Sequence, residues 1–294
     1  MNPCKFAIST NFTKDPEGVE TRHIASYLQE RGARVWLLVK PQDEVPAELA
    51  DMERLQEAHV SQMDLVIVLG GDGTILSSAR RLHEYDVPLL GINLGHLGFL
   101  TGSEKEDCES VLDQVLEGRY REEERVMLRG RIVHTNGEEQ YFSGLNDAVI
   151  TRGAFSRMLS ISVKINGRLM DYFQADGMIV ATPTGSTGYN LSAGGPIVVP
   201  YARGILITPI CPRSLTMRSI VVSETDEINF EVLPETMGQR TPELMLTVDG
   251  QQGYSIVPGD QVFIGVDPAG VRLIHMENTT FFDTLRKKMF KESM

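Results

Sequence analysis

The densest chemical signal in the chain is the run Gly70-Gly71-Asp72-Gly73-Thr74, which follows directly on the apolar segment Asp64-Leu65-Val66-Ile67-Val68-Leu69. Glycines let backbone N–H groups approach an anion closely, and a helix starting there adds a partial positive charge. These are the makings of a phosphate cradle. No Gly-Lys-Ser/Thr ending follows, so it is not a Walker loop, and the spacing is not the G-x-G-x-x-G dinucleotide fingerprint. Asp72 is the odd member. A carboxylate in such a cradle repels the ligand unless it contacts a metal ion or accepts a hydrogen bond from a hydroxyl about to be phosphorylated. The alternative is a plain strand-to-helix turn capped by an aspartate.

A second glycine-spaced loop, Gly91-Ile92-Asn93-Leu94-Gly95-His96-Leu97-Gly98-Phe99, ends the next apolar strand, and adjacent strand ends of a doubly wound sheet share one ligand crevice. His96 is read as structural, because a lone loop histidine needs a partner to act as acid or base. Further on, Ala181 to Pro196 packs hydroxyls, glycines and Tyr189 more densely than an ordinary turn requires. Its hydroxyls suit ribose and base edges and the tyrosine offers a face for adenine, yet a long turn with a core tyrosine has the same composition. Asn146-Asp147 and Asp176-Gly177 are further acidic positions that surface turns explain equally well. Arg152 and Arg157 are placed to balance phosphate charge or to stand solvated.

Positioning these residues takes two kinds of scaffold. Up to about Arg125, apolar strands (Lys5 to Ser9, Arg34 to Val39, Asp64 to Leu69, Pro88 to Asn93) alternate with helical stretches. The first helix opens at Asp15-Pro16 and closes near Gly32. A second runs from Thr74 to about Tyr85, and a third from Glu104 to Glu117, stopped by Gly118. The unbroken apolar run before Gly70 fits a strand buried on both faces of a parallel sheet, so this part reads as a doubly wound α/β domain. Beyond it, short strands are separated by Asn136-Gly137, Asn166-Gly167 and Asp249-Gly250, pairs favoured in tight hairpins, and the texture is antiparallel β. The expected division is 1–124, 125–278 and a helical tail over 279–294 that packs back on the first domain.

Composition narrows the partners. The chain has 294 residues, 41% of them apolar, enough for two domains with their own cores. Its 28 basic and 40 acidic side chains give a net charge of −12, which argues against a nucleic-acid partner but not against a phosphorylated small molecule held in one cleft. Cys4, Cys108 and Cys211 lack the paired spacing of a disulfide framework or zinc site and point to a reducing, cytoplasmic setting. No apolar run reaches membrane-spanning length, and Met1 to Thr10 has too short an apolar core for a secretory signal.

Taken together the segments resemble the NAD kinase family, which transfers a phosphoryl group from ATP to the 2′-hydroxyl of the adenosine ribose of NAD. The likeness rests on Gly70-Gly71-Asp72-Gly73-Thr74, on Gly91-Ile92-Asn93-Leu94-Gly95 with Leu97-Gly98-Phe99-Leu100-Thr101, and on Leu145-Asn146-Asp147. It extends through Asp176-Gly177, Thr182-Pro183-Thr184-Gly185-Ser186-Thr187 and Ser192-Ala193-Gly194-Gly195-Pro196, in the family's order. The glycine turn alone is shared with lipid kinases; the Thr182 to Thr187 stretch is the more specific. The resemblance implies an α/β N-terminal domain, a β-sandwich-like C-terminal domain, the active site between them, and a homo-oligomer, dimer or tetramer. It implies a phosphate loop at Gly70, Gly71, Gly73 and Thr74, with Asp72 as proton acceptor. NAD contacts are implied at Asp72 and Gly73, at Asn146 and Asp147 on the adenosine, and at Asp176 on the nicotinamide side. Thr187, Gly188, Tyr189, Asn190, Leu191 and Ser192 would form the adenosine pocket, and Arg157, Gln174 and Gln251 complete the set. Magnesium is expected to bind mainly through the ATP phosphates, with no side-chain metal site. Gly188 stands where the family usually has alanine, and Gln174 where a basic residue is common.

Two rivals share parts of the pattern: a lipid kinase with the same glycine turn, and a non-catalytic dinucleotide sensor. A lipid kinase should offer an apolar acyl-chain pocket where this loop offers hydroxyls. A sensor has no evident need for a carboxylate in its phosphate site. Whether ATP or polyphosphate is the donor, and whether NADH is accepted, the residues leave open.

Overall fold

The computed structural model describes residues 3–95, 98–152, 158–214, 216–234, 244–277 and 279–289. The chain forms two compact units, one from residues 1–124 with 271–294 and the other from 125–270.

In the first unit the elements are β1 (Lys5–Thr10), α1 (Val19–Glu30), β2 (Arg34–Leu38), β3 (Arg54–Leu55), β4 (Leu65–Gly70), α2 (Asp72–Leu82), β5 (Leu89–Asn93), β6 (Ser103–Glu104) and α3 (Cys108–Leu116). The strands pair in parallel in the order β5-β4-β1-β2-β3. From β1 the chain builds outward through β2 and β3, then returns to place β4 and β5 on the other side of β1. The order therefore reverses between β1 and β4, the position at which doubly wound sheets take their ligands, outside the carboxyl ends of the strands. Every residue of β4 and of β5 is buried, as strands covered on both faces require.

Helix boundaries shift from the sequence expectation for identifiable reasons. The first helix starts at Val19, after Gly18 in the left-handed region (φ 69°), rather than at Asp15-Pro16. Asp15 still serves it, accepting hydrogen bonds from the amides of Glu20 and Thr21 and from the Thr21 hydroxyl. The second begins at Asp72, two residues earlier than expected, because Gly71 is already the extended cap, and past Leu82 the chain tightens into a 3₁₀ turn over His83–Tyr85. The third is shortened to Cys108–Leu116 and is followed by Gly118 with φ 72°.

The second unit is antiparallel β. Following β7 (Tyr120–Val133), which enters it from the first unit, come β8 (Glu139–Gly144), β9 (Asp147–Arg152), β10 (Leu159–Ile165), β11 (Arg168–Ala175) and β12 (Gly177–Ala181). The short α4 (Tyr189–Ser192) precedes β13 (Ile205–Ile210), β14 (Ile220–Val222), β15 (Ile228–Val232), β16 (Leu244–Val248), β17 (Gln252–Ile256) and β18 (Gln261–Met276). One sheet runs β14-β13-β12-β9-β16-β17, and in the other β11, β10 and β15 lead to the first half of β18. Ile150, Met178, Val180, Ile207 and Leu246 from the first sheet share one core with Ile161, Val163, Phe173, Phe230 and Ile264 from the second, which is sandwich packing. The three hairpin signals fall at turns. Asn166 and Gly167 both have positive φ between the paired Ile165 and Arg168, and Asp249 and Gly250 do likewise between the paired Val248 and Gln252.

The last stretch of β18 leaves this unit: Leu273 pairs in parallel with Leu89 of β5. Residues 271–277, expected with the β-rich domain, thus belong to the α/β unit. The final helix α5 (Phe281–Met289) belongs there too, its Phe281 ring 6.3 Å from that of Phe99.

Candidate functional site

In the α/β unit the glycine turn lies at the carboxyl end of β4, with Gly71 N donating to Thr74 Oγ1 (3.4 Å) and Thr74 N to Gly71 O (2.8 Å). Asn11, the first residue after β1, ties that strand's exit to the turn. Its N–H donates to Leu69 O (2.9 Å) and its Nδ2 to Thr74 Oγ1 (3.3 Å). Leu94 N donates to Gly70 O (2.8 Å), which binds the second glycine loop to the first. Asp72, at the first turn of α2, is half-buried and turned toward that second loop. One carboxylate oxygen accepts from Phe99 N (2.8 Å) and the other from Leu100 N (3.1 Å). The approach is so close that a Cβ on Gly98 would lie 1.7 Å from an Asp72 oxygen. Each oxygen keeps a lone pair beyond the one given to the amide, so the carboxylate is held in place yet can still accept a proton or a hydroxyl.

In the β-rich unit the corresponding centre is Asp249. Its carboxylate accepts the amides of Leu145 (3.1 Å), Asn146 (2.7 Å) and Asp147 (3.2 Å), fixing the loop between β8 and β9. The turn after β12 closes on the same loop: Thr182 Oγ1 donates to Leu145 O (2.6 Å), Thr182 N donates to Asn146 O (2.9 Å), and a Cβ on Gly185 would stand 2.1 Å from Asn146 O. Two polar groups on this loop are set apart by burial. Asn146 Oδ1 is buried with no hydrogen-bond partner. Asp147, 5% exposed, has its pKa pushed up to about 7, first by burial and then by the charge of Asp249. Beside them, Gly188 would carry a Cβ 3.5 Å from Asn146 Nδ2 and 3.7 Å from an Asp147 oxygen.

The sequence-expected residues divide by environment. Gly70, Gly71, Asp72, Gly73 and Thr74 form one turn in the α/β unit; Asn146, Asp147, Thr187 and Gly188 gather in the β-rich unit. Tyr189 is 45% exposed, and Ser192 is exposed on the same short helix, with Leu191 half-buried. Asn190 differs. It is fully buried, its Nδ2 donates to Ser186 O (3.2 Å) and Pro196 O (3.1 Å), and its Oδ1 accepts from Thr208 Oγ1 (2.6 Å), so it pins the loop to β13. Asp176 pairs with Arg152 (3.0 Å), and Gln174 accepts from Arg213 (3.0 Å) at the rim of a cavity of about 520 Å³ lined also by Tyr172 and Met217. Gln251 lies exposed in the turn after Asp249. Arg157, His96 and Leu97 lie outside the described residues. Sequence reasoning did not single out Asn11 or the organising role of the Asp249 carboxylate. The signal for the first was available, since Asn11 stands at a strand end flanking the reversal point.

Strand order and glycine turn together define an α/β protein built to take an anionic, nucleotide-like ligand outside the carboxyl ends of β1 and β4. Comparison with known proteins narrows this. The ATP-NAD kinase N-terminal domain matches residues 12–120 and the ATP-NAD kinase C-terminal domain residues 145–276. A protein named NAD kinase from Caldanaerobacter subterraneus subsp. tengcongensis is 42% identical across 97% of this chain and 98% of its own length. One from Carboxydothermus hydrogenoformans is 43% identical across 82% and 83%. The crystal structure of yeast NADH kinase complexed with NADH superposes with a TM-score of 0.87 at 25% identity, covering 100% of this chain and 89% of that one. An Archaeoglobus fulgidus NAD kinase in complex with ATP gives 0.73 at 25%, covering 96% and 97%. The chain belongs to the NAD kinase family. These findings favour that family over the lipid kinases that share the glycine turn.

Proposed function

We propose that the chain transfers the γ-phosphoryl group of ATP to the 2′-hydroxyl of the adenosine ribose of NAD, giving NADP and ADP. The observation that carries this reading is Asp72: a carboxylate fixed by two backbone amides inside a phosphate-type turn, in a chain of the NAD kinase family. With neither a metal ion to contact nor a hydroxyl to receive, such a group only repels the ligand, and the family's acceptor supplies the hydroxyl. In the reaction the ribose O2′ bonds to the γ-phosphorus, the bond from that phosphorus to the β–γ bridging oxygen breaks, and ADP leaves with its electron pair. A carboxylate is too weak a base to remove the hydroxyl proton beforehand, so Asp72 accepts it as the new bond develops and releases it to solvent. Positioning supplies most of the rate.

The glycine turn, through Gly70, Gly71, Gly73 and Thr74, holds the donor phosphates. Magnesium carried on those phosphates would neutralise developing charge, and the Gly70 to Thr74 turn would hold it only through the phosphates. Among the described residues no group of three or more His, Cys, Asp or Glu side chains is arranged to hold a metal ion. The adenosine of NAD sits on the β-rich unit, where the buried Asn146 Oδ1 needs a donor such as an adenine amino group and Asp147 can meet a ribose hydroxyl. Thr187, Gly188, Tyr189, Leu191 and Ser192 line the pocket, and Asn190 keeps its loop in shape. Asp176, Gln174, Arg157 and Gln251 are assigned to the remainder of the dinucleotide. The working form is a cytoplasmic homo-oligomer, dimer or tetramer. The free thiols of Cys4, Cys108 and Cys211 support a reducing compartment, and no helix among the described residues is long and apolar enough to cross a membrane.

The decisive assay offers the purified protein ATP and magnesium with NAD, NADH, diacylglycerol or sphingosine in turn. Phosphorylated dinucleotide alone is the expected product. A phosphorylated lipid, or no product with any acceptor while dinucleotide still binds, would replace this reading with a lipid kinase or a sensor. Light scattering coupled to gel filtration gives the oligomer size, and a monomer at working concentration would remove that part of the proposal.

A further inference from the structure

We propose that Lys14 is a contact for the phosphoryl donor, its ammonium engaging the phosphoanhydride chain above the glycine turn; this rests on the kinase reading given above.

Placement comes first. The segment after β1 leaves the sheet at the reversal point, and Asn11 stitches it to both Leu69 and Thr74. The Lys14 and Asp15 amides both donate to Asn11 O (2.9 and 3.2 Å), which makes a tight turn that fixes where the lysine side chain departs. From there its Nζ reaches a point 2.8 Å from the position a Cβ would take on Gly71 and 3.7 Å from that on Gly95. The ammonium therefore stands over both glycine loops, and the missing side chains give it the room.

Charge is the second consideration. In a chain of 40 acidic side chains, Lys14 is exposed and forms no ion pair or hydrogen bond through Nζ with the described residues. Its neighbour Asp15 is spent on the start of α1, accepting from Glu20 N, Thr21 N and Thr21 Oγ1. An ammonium that no carboxylate among the described residues pairs, beside the positive end of α2, gains a partner when an anion arrives. It also offsets the repulsion that Asp72 exerts on the same phosphates. Lys14 is thus the cationic half of a site whose anionic half was legible in the glycine turn. The chemistry recognised, a chain of phosphoanhydrides, is common to ATP and inorganic polyphosphate.

The test compares Lys14→Met and Lys14→Arg with wild type, after thermal melts show that this exposed substitution leaves the fold intact. With ATP varied at saturating NAD, Lys14→Met should raise KM for ATP on the order of tenfold or more, the worth of a charge-assisted hydrogen bond. KM for NAD should change by less than about twofold, and Lys14→Arg should recover most of the loss. Repeating the series with polyphosphate separates the donors. A rise in KM for every donor the enzyme accepts supports a contact to the shared chain, and a rise for ATP alone among accepted donors supports a contact to the nucleotide form. Unchanged KM for every accepted donor, or an equal rise for ATP and NAD, overturns the assignment. Calorimetric binding of inorganic tripolyphosphate needs no turnover. Weakened binding in Lys14→Met together with a wild type that phosphorylates nothing would leave the contact standing and remove the kinase reading. Normal NADP formation with unchanged tripolyphosphate binding and unchanged donor KM would do the reverse.

Discussion

Asp72 of the α/β unit and Asp249 of the β-rich unit are both carboxylates captured by backbone amides of a neighbouring loop, two amides in the first case and three in the second. Local hydrogen bonding is alike; the surroundings are not. Asp72 is half-buried at the mouth of a turn made of glycines, so its remaining lone pairs face ligand space. Asp249 is buried and holds up the segment that carries Asn146 and Asp147, and its charge falls on Asp147. One device, an anion pinned by amides, leaves a half-buried carboxylate at the glycine turn in one unit and braces a loop in the other. What separates the roles is what the pinned group can still reach.

The comparison breaks or sharpens on substitution. Asp72→Asn should lower kcat by roughly 10²-fold or more while NAD binding, followed by fluorescence or calorimetry, stays near normal. Near-normal turnover would make Asp72 a cap like any other. Gly98→Ala is the sharper variant, because it leaves the carboxylate present and displaces it by a Cβ that would stand 1.7 Å from its oxygen. A kcat loss of about tenfold or more with KM for NAD within about twofold is expected. In the β-rich unit the matching intrusion is Gly185→Ala, against Asn146 O at 2.1 Å. It should raise KM for NAD by about tenfold and affect kcat less. Should the two glycine variants show the same kinetic signature, the division of labour between the centres is wrong.

Much of this was legible because it is local. Glycine runs, hairpin pairs and the buried β4 strand declare themselves within a few residues, where turn chemistry and periodicity decide. Sequence reasoning does not reach contacts that close over long separations. The amides that hold Asp72 come from Phe99 and Leu100, and the Asp249 carboxylate reaches back to Leu145. Asn190 looked like a pocket residue by composition, yet Thr208, on a different strand, completes its burial. Pairing of Leu273 with Leu89 moved a domain boundary for the same reason.

Two smaller effects test the surroundings themselves. Asp147 has a folded-state pKa of about 7 against 3.8 for the free group, so the folded protein binds its proton more tightly than the unfolded chain does. Its contribution to stability is full below about 3.8 and is lost as pH rises through about 7. Asp147→Asn should flatten the dependence of the denaturant midpoint on pH across that window and stabilise the protein at its upper end, by a few kcal/mol at most. An unchanged slope would show that Asp147 is ionised throughout. The smallest effect belongs to the support behind Asp72. Phe99 packs on Phe281 and lies under the Lys288 ammonium, 4.7 Å from its ring centre. Phe281→Ala should cost about 1 kcal/mol of stability and a few-fold in kcat, with KM for NAD unmoved.

The α/β unit draws its residues from both sides of the segment 125–270, and this has a consequence for synthesis. On the ribosome its first part emerges with the Leu89 end of β5 still lacking the neighbour that Leu273 provides. At 5–20 residues per second, the missing strand follows only after roughly 7 to 30 s, while the β-rich unit is being made. Throughout that interval an apolar strand end is open to pairing with other nascent chains. The late strand acts as a closing stitch, and the unit that carries the glycine turn is completed only after the one that carries the Asn146-Asp147 loop has been translated.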